Sequence, residues 1–239
     1  MLTPPEIARS LLAAGESKAR LPFGKMLLLA ILAGAYIALA GVGATAAAVT
    51  VESGSLAKLL SACVFPAGLS MVILAGSELF TGNCLMVMAL LERRITPAQL
   101  LRNWLTVYLG NAMGGAAVAA LAVYSHTASL FGDGLARSMV SIAESKAALG
   151  AGDAFLRGVL CNFLVCLAVW MAAASKRAEG KVIALFFPIL LFVLCGYEHC
   201  IANLYYLPAG AFAAAEYGME TTLTLAGCLK NLAAVTLGN

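Results

Sequence analysis

Six long hydrophobic segments restrict what this chain can fold into more than any other feature of its sequence. Of the 239 residues, 62% are hydrophobic and 11% are charged, and the mean hydropathy is +0.93. Soluble domains carry about 25% charged residues, so this chain has too little polar surface to fold in water. A helix needs about 20 apolar residues to cross a bilayer. The sequence therefore predicts an all-α, multi-pass membrane protein, with hydrophobic segments near residues 26–50, 57–91, 99–124, 153–174, 181–207 and 219–239.

The second and fifth segments are interrupted by the same polar pattern, Gly-x-Glu-x-x-x-x-Asn. One copy runs from Gly76 to Asn83 and the other from Gly196 to Asn203. An ionisable residue inside a span costs about 2.5–3.5 kcal/mol on insertion scales and is by default a functional-site hypothesis. Glycine beside each carboxylate predicts that both segments are broken into two half-helices. Non-helical backbone at that depth must line a cavity or pack within the protein.

A second repeated pattern extends the correspondence between the two halves of the chain. Residues 103–111 and 231–239 both read Asn-x6-Gly-Asn. The first three spans therefore correspond to the last three, and three spans per half require the halves to be inserted with opposite topology. This predicts an inverted 3+3 repeat. The third span continues past Asn111, whereas the sequence stops at Asn239, so we expect the sixth span to be truncated.

The N-terminal residues 1–25 have no apolar core of the kind that a signal peptide contains. Ile7, Leu11 and Leu12 fall on one helical face, which predicts an amphipathic segment at the membrane surface. Residues 26–239 are expected to form a single transmembrane channel domain. Ten of the fifteen Lys and Arg residues fall on the side of the N-terminus, which predicts a cell (inner) membrane protein with a cytoplasmic N-terminus.

The two interruptions share some residues and differ in others. Glu78 and Glu198 stand at the same place, so we interpret both as structural loop carboxylates that accept hydrogen bonds from freed backbone N–H groups, with proton relay as the alternative. His199 has no counterpart, because Leu79 stands in its place. An imidazole there can donate a hydrogen bond to an anion or exchange a proton. Thr81 offers a hydroxyl at a similar depth.

The predicted pore centre contains few full charges, and helix N-termini add partial positive charge there. Such a centre suits a small monovalent anion. Asn162 is a candidate polar residue in the fourth span. Lys146, just before that span, either attracts anions or is a solvated loop residue. Bulky apolar residues would form two constrictions that exclude hydrated ions, with ordinary packing as the alternative: Phe65, Leu69, Leu79, Phe80, Val165 and Phe192.

The seven cysteines and two histidines form no metal-ligand pattern. The cysteines lie in or beside apolar segments, where they are expected to be packing residues. No metal or cofactor is expected. A membrane enzyme that uses Cys200 and His199 would lack a third, orienting group, so we expect no enzymatic activity.

Three segments resemble the formate/nitrite transporter family, which includes formate, nitrite and hydrosulfide channels. They are Gly-Ser-Glu-Leu-Phe-Thr-Gly-Asn at 76–83, Cys-Asn-Phe-Leu-Val-Cys-Leu-Ala-Val-Trp at 161–170 and Tyr-Glu-His-Cys-Ile-Ala-Asn at 197–203. The resemblance implies a six-span, aquaporin-like protomer with broken second and fifth helices. It also implies assembly as a homopentamer with one pore in each protomer.

The resemblance further implies roles for individual residues. The family's central histidine and loop threonine match His199 and Thr81, its vestibule lysine matches Lys146, and its buried asparagines match Asn162 and Asn203. The family's two constrictions match Phe65 and Phe192 toward the periplasm, and Leu69, Leu79, Phe80 and Val165 toward the cytoplasm.

Together, these features predict a channel for small monovalent weak-acid anions that also interact with protons at the pore centre. Formate is the expected substrate, and nitrite and hydrosulfide are alternatives because the same pore chemistry serves each. Transient protonation at His199 would let the neutral acid pass the apolar constrictions. An aquaporin-like channel for neutral solutes is a further alternative, which the absence of paired Asn-Pro-Ala signatures disfavours. No nucleic-acid partner is expected.

Overall fold

The structure is a computed structural model that describes residues 1–239, and it is all-α. Thr3 and Glu6 form a capping box that begins the first helix, with Pro4 and Pro5 in its first turn. The first half of the chain contains α1 (Pro4–Ala19), α2 (Phe23–Ala48), α3 (Gly54–Val64), α4 (Pro66–Ala75), α5 (Phe80–Asn83), a 3₁₀ turn (Cys84–Met86), α6 (Val87–Leu91) and α7 (Pro97–Tyr124).

The second half begins after a 3₁₀ turn at Thr127–Ser129 and contains α8 (Gly134–Ala148), α9 (Ala151–Ala173), α10 (Ala178–Leu194), α11 (Cys200–Glu216) and α12 (Leu225–Gly238). Four helices are long and apolar enough to cross a membrane: Phe23–Ala48, Gly54–Ala75, Pro97–Tyr124 and Ala151–Ala173. Phe80–Leu91 and Leu225–Gly238 are shorter apolar helices. The predicted segment 181–207 is divided between α10 and α11.

Both interrupted segments are broken where the two Gly-x-Glu copies stand. The chain leaves α4 through Gly76 with a φ of 75° and leaves α10 through Gly196 with a φ of 69°. Residues with a side chain rarely adopt this left-handed conformation, which is why glycine is needed at both positions. Helical structure resumes at Phe80 in the first half and at Cys200 in the second.

The two broken helices run in opposite directions. α3 and α4 pack against α10, and Phe65, at the junction of α3 and α4, meets Phe192 near the end of α10 with their ring centroids 5.7 Å apart. From this contact, α4 runs away to its break at Gly76, whereas α10 reaches its break at Gly196 beside it. The two breaks therefore open on opposite sides of the protein, an arrangement consistent with the predicted inverted repeat.

The remaining helices surround these broken elements. α2 packs closely on α7, where Gly34 faces the backbone of Asn111 and Gly114 faces the backbone of Ile31. Any larger residue at either glycine would separate the two helices. α9 packs on α10 and α12, and α11 packs on α7 and α8. The N-terminal segment 1–25 forms α1 and the start of α2. α1 packs on α6 and on the 3₁₀ turn at Cys84–Met86.

Candidate functional site

The carboxylate of the first break accepts hydrogen bonds from two polar side chains. Lys18 Nζ donates to Glu78 Oε1 at 2.8 Å, and Asn83 Nδ2 donates to Glu78 Oε2 at 2.7 Å. Asn83 Nδ2 also donates to Asn103 Oδ1 at 2.9 Å. Glu78 is only 5% exposed. A carboxylate buried to this extent needs a paired charge and hydrogen bonds, and these partners supply both.

The second break repeats this arrangement with different residues. Lys146 Nζ donates to Glu198 Oε1 at 2.9 Å, and Asn203 Nδ2 donates to Glu198 Oε2 at 2.7 Å. Asn203 Nδ2 also donates to Asn231 Oδ1 at 2.8 Å. The structure therefore places Asn203, a predicted pore residue, among the partners of Glu198.

Two further asparagines hold the non-helical backbone of the breaks. The Phe80 backbone N–H donates to Asn111 Oδ1 at 3.0 Å, and Asn111 Nδ2 donates to the Glu78 carbonyl at 2.9 Å. In the second half, the Cys200 N–H donates to Asn239 Oδ1 at 2.8 Å, and Asn239 Nδ2 donates to the Glu198 carbonyl at 3.0 Å. Each of these two asparagines thus satisfies backbone groups that a helix break leaves free.

Lys18 was not among the predicted site residues, although the sequence contains a signal for it. Residues 16–19 and 144–147 both read Glu-Ser-Lys-Ala. The first copy lies near the end of α1 and the second near the end of α8, and their lysines bind the carboxylates of the two breaks. The N-terminal helix is therefore the counterpart of α8, and each half has its own lysine. The interpretation of Lys146 as a solvated loop residue is wrong, because it lies in a helix and its side chain is 15% exposed.

His199 and Thr81 are brought together from the two breaks. His199 Nε2 and Thr81 Oγ1 are 3.1 Å apart, and His199 and Thr81 are 3% and 0% exposed. His199 also caps α11, since its Nδ1 accepts a hydrogen bond from the Ala202 N–H at 3.2 Å. An acceptor nitrogen carries no proton, so the hydrogen of the neutral ring is on Nε2. Nε2 therefore presents a donor to Thr81, the geometry that a bound anion requires.

The predicted constriction residues divide into three groups. Phe65 and Phe192 pack edge to face on one side of the His199–Thr81 contact, with the Phe192 ring stacked on the imidazole at 5.8 Å. Leu69 and Leu79 lie on the opposite side, and both are 3% exposed. Val165 and Phe80 are buried and line neither cavity described below.

Phe80 instead packs against the third span. Its ring centroid lies 5.2 Å from that of Tyr108 and 6.1 Å from that of Trp104, in edge-on geometry. Asn162 is also buried and lies outside both cavities. Its Nδ2 donates to the Asn239 carbonyl, and its Oδ1 has no protein partner.

Two cavities approach the His199–Thr81 contact from opposite sides. We call the first the Lys146 vestibule; it has a volume of about 410 Å³ and is lined by Phe65, Lys146, Phe192, Glu198 and His199, among others. The second, the Lys18 vestibule, has a volume of about 640 Å³ and is lined by Lys18, Lys25, Leu69, Glu78 and Leu79, among others. Each vestibule contains one break, one carboxylate–lysine pair and one apolar constriction.

The Lys146 vestibule also contains two cations that were not among the predicted site residues. Lys58 of α3 and Arg157 of α9 line it together with Lys146. The sequence alone shows each of them only as one positive charge in the count that predicts the membrane orientation. A single cation in an apolar helix does not indicate which cavity it faces. Lys146 itself lies with its Nζ 5.3 Å from the centroid of the Tyr206 ring, a cation–π contact.

Comparison with known proteins supplies the context for this geometry. The sequence profile of the formate/nitrite transporter family matches residues 5–239. A probable formate transporter of Methanothermobacter thermautotrophicus is 37% identical over 99% of this chain and 91% of its own length. The formate channel FocA of Haemophilus influenzae is 38% identical over 87% of this chain and 79% of its own length.

Solved structures agree with the sequence relatives. An ion channel of the FNT family superposes with a TM-score of 0.88 at 30% identity, over 98% of this chain and 92% of its own. A pentameric formate channel with formate bound superposes with a TM-score of 0.80 at 31% identity, over 90% of this chain and 91% of its own. The predicted all-α membrane fold and the absence of enzymatic activity are confirmed, because the family consists of channels and transporters. The chain is a multi-pass membrane protein and belongs to the formate/nitrite transporter family.

Proposed function

We propose that this protein is a channel for small monovalent weak-acid anions and that formate is its substrate. The observation that carries this proposal is the buried Thr81–His199 contact between two vestibules, in which a neutral imidazole presents its Nε2–H. One hydrogen-bond donor without a full charge fits a small anion that must bind briefly and then leave. Formate is favoured over nitrite and hydrosulfide because the relatives described above are named for formate.

Passage through the constrictions requires the anion to lose its water. Phe65 and Phe192 on one side, and Leu69 and Leu79 on the other, offer no hydrogen bonds to a hydrated ion. We propose that the anion accepts a hydrogen bond from His199 and takes up a proton there, so that the neutral acid crosses the apolar constriction. The two break carboxylates, Glu78 and Glu198, hold the backbone and take no part in this step.

The hydrogen bonds of His199 set a condition on proton transfer. To give a proton to the anion, the ring must first hold two, and the second proton would sit on Nδ1. Nδ1 accepts a hydrogen bond from the Ala202 N–H. Protonation of the ring on Nδ1 therefore breaks the hydrogen bond that caps α11. The alternative is passage of the anion itself with His199 neutral throughout.

Uptake by proteoliposomes tests the substrate and the proton step together. Formate, nitrite, acetate and hydrosulfide are supplied at equal concentration, and anion uptake and internal pH are recorded. Rapid formate uptake that carries protons and depends on pH supports the proposal. Faster uptake of nitrite or hydrosulfide would identify that anion, and not formate, as the substrate. Osmotic swelling without anion flux would identify a neutral-solute channel. Unchanged flux and unchanged pH dependence in His199→Ala and His199→Phe would remove the proton-exchange role.

We propose the same homopentameric assembly as the formate-bound relative, with one complete pore in each protomer. The superposition on that pentameric relative, over 90% of this chain and 91% of its own, supports the same assembly. Mass measurement of the detergent-solubilised protein tests this assembly, and a monomer would contradict it.

We also propose that the N-terminus is cytoplasmic, so that the Lys18 vestibule faces the cytoplasm. The excess of Lys and Arg on that side supports this orientation. In a variant whose exposed Cys63 and Cys195 are replaced by serine, a cysteine introduced at Leu2 should react with a membrane-impermeant thiol reagent only after the cells are opened. Reaction in intact cells would reverse the orientation.

A further inference from the structure

The two lysines that reach the breaks are not free to capture anions. Lys146 is 2.9 Å from Glu198, and Lys18 is 2.8 Å from Glu78. Each lysine therefore compensates a buried carboxylate, and an anion that drew the lysine away would leave that carboxylate unpaired, which is strongly unfavourable. Other residues of the vestibule are therefore better placed than Lys146 to attract anions, the role predicted for Lys146.

Lys58 and Arg157 are the uncompensated cations of the Lys146 vestibule. Three cations and one carboxylate line this cavity. The ion pair between Lys146 and Glu198 leaves two positive charges, because neither Lys58 nor Arg157 takes part in any ion pair of the chain. Both residues are exposed and line the cavity. Asp153 lies one turn before Arg157 on α9 but does not line the vestibule.

The backbone around these two cations places them at the entrance to the second break. A Cβ built on Gly196 would lie 4.0 Å from Lys58 Nζ, so the ammonium group stands over the glycine of the break. The Arg157 carbonyl accepts a hydrogen bond from the Glu198 N–H, which places α9 directly beside the same segment. The hydroxyl-bearing residues Ser141 and Ser145 also line this vestibule. Its lining thus combines two unpaired cations with neutral donors, which is what an oxyanion needs.

The other vestibule lacks this pair. The first-half residue whose carbonyl accepts from the Glu78 N–H is Leu29, which corresponds to Arg157. The charged residues that line the Lys18 vestibule are Lys18, Lys25 and Glu78, which leaves a single uncompensated cation. The repeat therefore supplies the carboxylate–lysine pair on both sides, while the paired free cations belong to one side only.

We propose that Lys58 and Arg157 form a recruitment site for small oxyanions in the Lys146 vestibule, separate from the Lys146–Glu198 pair. The site raises the local concentration of the anion before it meets Phe65 and Phe192. A divalent oxyanion such as sulfate binds there as well, but its second charge prevents passage through the constriction, so it blocks entry. This proposal rests on the proposed anion-channel function.

Formate uptake by proteoliposomes tests the recruitment role. Lys58→Met, Arg157→Met and the double variant are compared with Lys230→Met, which removes one charge near α8 but outside the vestibule. We expect the half-saturating formate concentration to rise by about fivefold or more in the double variant, as removal of two partly solvated charge contacts predicts, with the maximal flux retained. Sulfate should inhibit the unaltered protein and lose that effect in the double variant. An unchanged half-saturating concentration, or an equal rise in Lys230→Met, would overturn the site.

A binding measurement separates this site from the channel function. The unfolding temperature of the protein in detergent is measured in sodium sulfate and in sodium chloride of equal ionic strength. A bound ligand stabilises the folded protein, so sulfate should raise the unfolding temperature of the unaltered protein and of Lys230→Met more than that of the double variant. If the vesicles carry no formate but this difference holds, the site stands and the proposed channel function fails. If formate is carried and the difference is absent, the site fails alone.

Discussion

The two helix breaks are built from the same parts but end in different side chains. Each has a left-handed glycine, a carboxylate bound by a lysine, and an asparagine that donates to that carboxylate. After these parts the copies diverge. His199 caps the 17-residue helix α11, whereas Leu79, at the equivalent place, has no side-chain acceptor and is followed by only the four residues of α5. The residues that repeat maintain the two breaks. The residues that differ between the copies are the candidates for contact with a solute.

The difference between the halves also places the polar centre. The second break supplies the imidazole, and the first supplies the hydroxyl, because Ile201 stands where a second threonine would be. The asymmetry therefore places one imidazole and one hydroxyl between two otherwise matched vestibules.

The largest stability effects should come from the lysines of the shared parts. Lys146→Met leaves Glu198 buried without its counter-charge and should destabilise the protein by about 3–5 kcal/mol. Lys18→Met should cost less, because the Lys18 side chain is 29% exposed against 15% for Lys146, and water can replace part of the lost interaction. Unfolding in detergent with increasing denaturant measures both.

The matched control restores neutrality in the second break. Lys146→Met combined with Glu198→Gln should recover part of the lost stability, because no unpaired charge then remains. If Lys146→Met were as stable as the unaltered protein, the carboxylate–lysine pair would have no role in holding the break.

The two glycines of the breaks should respond alike. Gly76→Ala and Gly196→Ala place a Cβ on a left-handed residue and should each cost about 1–2 kcal/mol. Nothing lies within 4 Å of a Cβ at Gly76, so its cost is purely conformational. Gly24→Ala is the control, since its Cβ also meets open space at an ordinary helical residue and should not destabilise. A clear difference between Gly76→Ala and Gly196→Ala in chemical denaturation would show that the breaks are not equivalent.

Thr81→Val removes the first-half member of the polar centre while keeping the shape of the side chain. The lost hydrogen bond to His199 should cost about 1 kcal/mol in stability and should also lower formate flux. Thr236→Val is the matched control, because the Thr236 hydroxyl bonds the Tyr108 hydroxyl at 3.0 Å and lines neither vestibule. It should lose similar stability and keep its flux. Equal flux in both variants would place Thr81 outside the pathway.

The smallest effect concerns Glu144, in the Glu-Ser-Lys-Ala segment of α8, outside the spans. Hydrogen bonds from the Thr222 N–H and then the Thr221 hydroxyl lower the pKa of Glu144 below its ordinary value of 4.5. A lowered pKa means that Glu144 contributes its stability above pH 4.5 and loses it as the pH falls through the folded value. Glu144→Gln should therefore be slightly less stable than the unaltered protein at pH 7, and the two unfolding temperatures should converge in acid. A gap that widened in acid would contradict this assignment.

The sequence predicted the positions of both breaks, because glycine weakens a helix and a carboxylate is costly inside an apolar segment unless the backbone around it opens. It also placed Thr81 and His199 at a similar depth, and the structure brings them into contact. Lys18 was not predicted, because the prediction for the N-terminal helix rests only on its apolar face. The repeated Glu-Ser-Lys-Ala segment, compared between the halves, would have identified it.

Other features could not be predicted from the sequence in the same way. The sequence does not specify which cavity an isolated cation such as Lys58 or Arg157 faces, since that depends on the rotation of α3 and α9. Nor does it specify that Asn203 turns toward Glu198, or that Phe80 packs on Tyr108, because both orientations depend on contacts between spans. These contacts exist only after the two halves have packed together.

We propose that the shared parts of the two breaks hold the structure and that His199 binds the anion at the pore centre. Formate uptake by His199→Asn tests it most directly, because the Asn side-chain oxygen is a good helix cap and can accept from the Ala202 N–H, while it places no donor where Nε2 lies. We expect the unfolding temperature to fall by only about 2–4 °C, the change that about 1 kcal/mol produces at this size, because the hydrogen bond to Thr81 is lost while the cap of α11 is kept. We expect formate uptake to fall by about tenfold or more, as loss of a hydrogen bond to a charged group predicts. Formate uptake equal to that of the unaltered protein would show that the channel does not need a donor at the position of His199 Nε2.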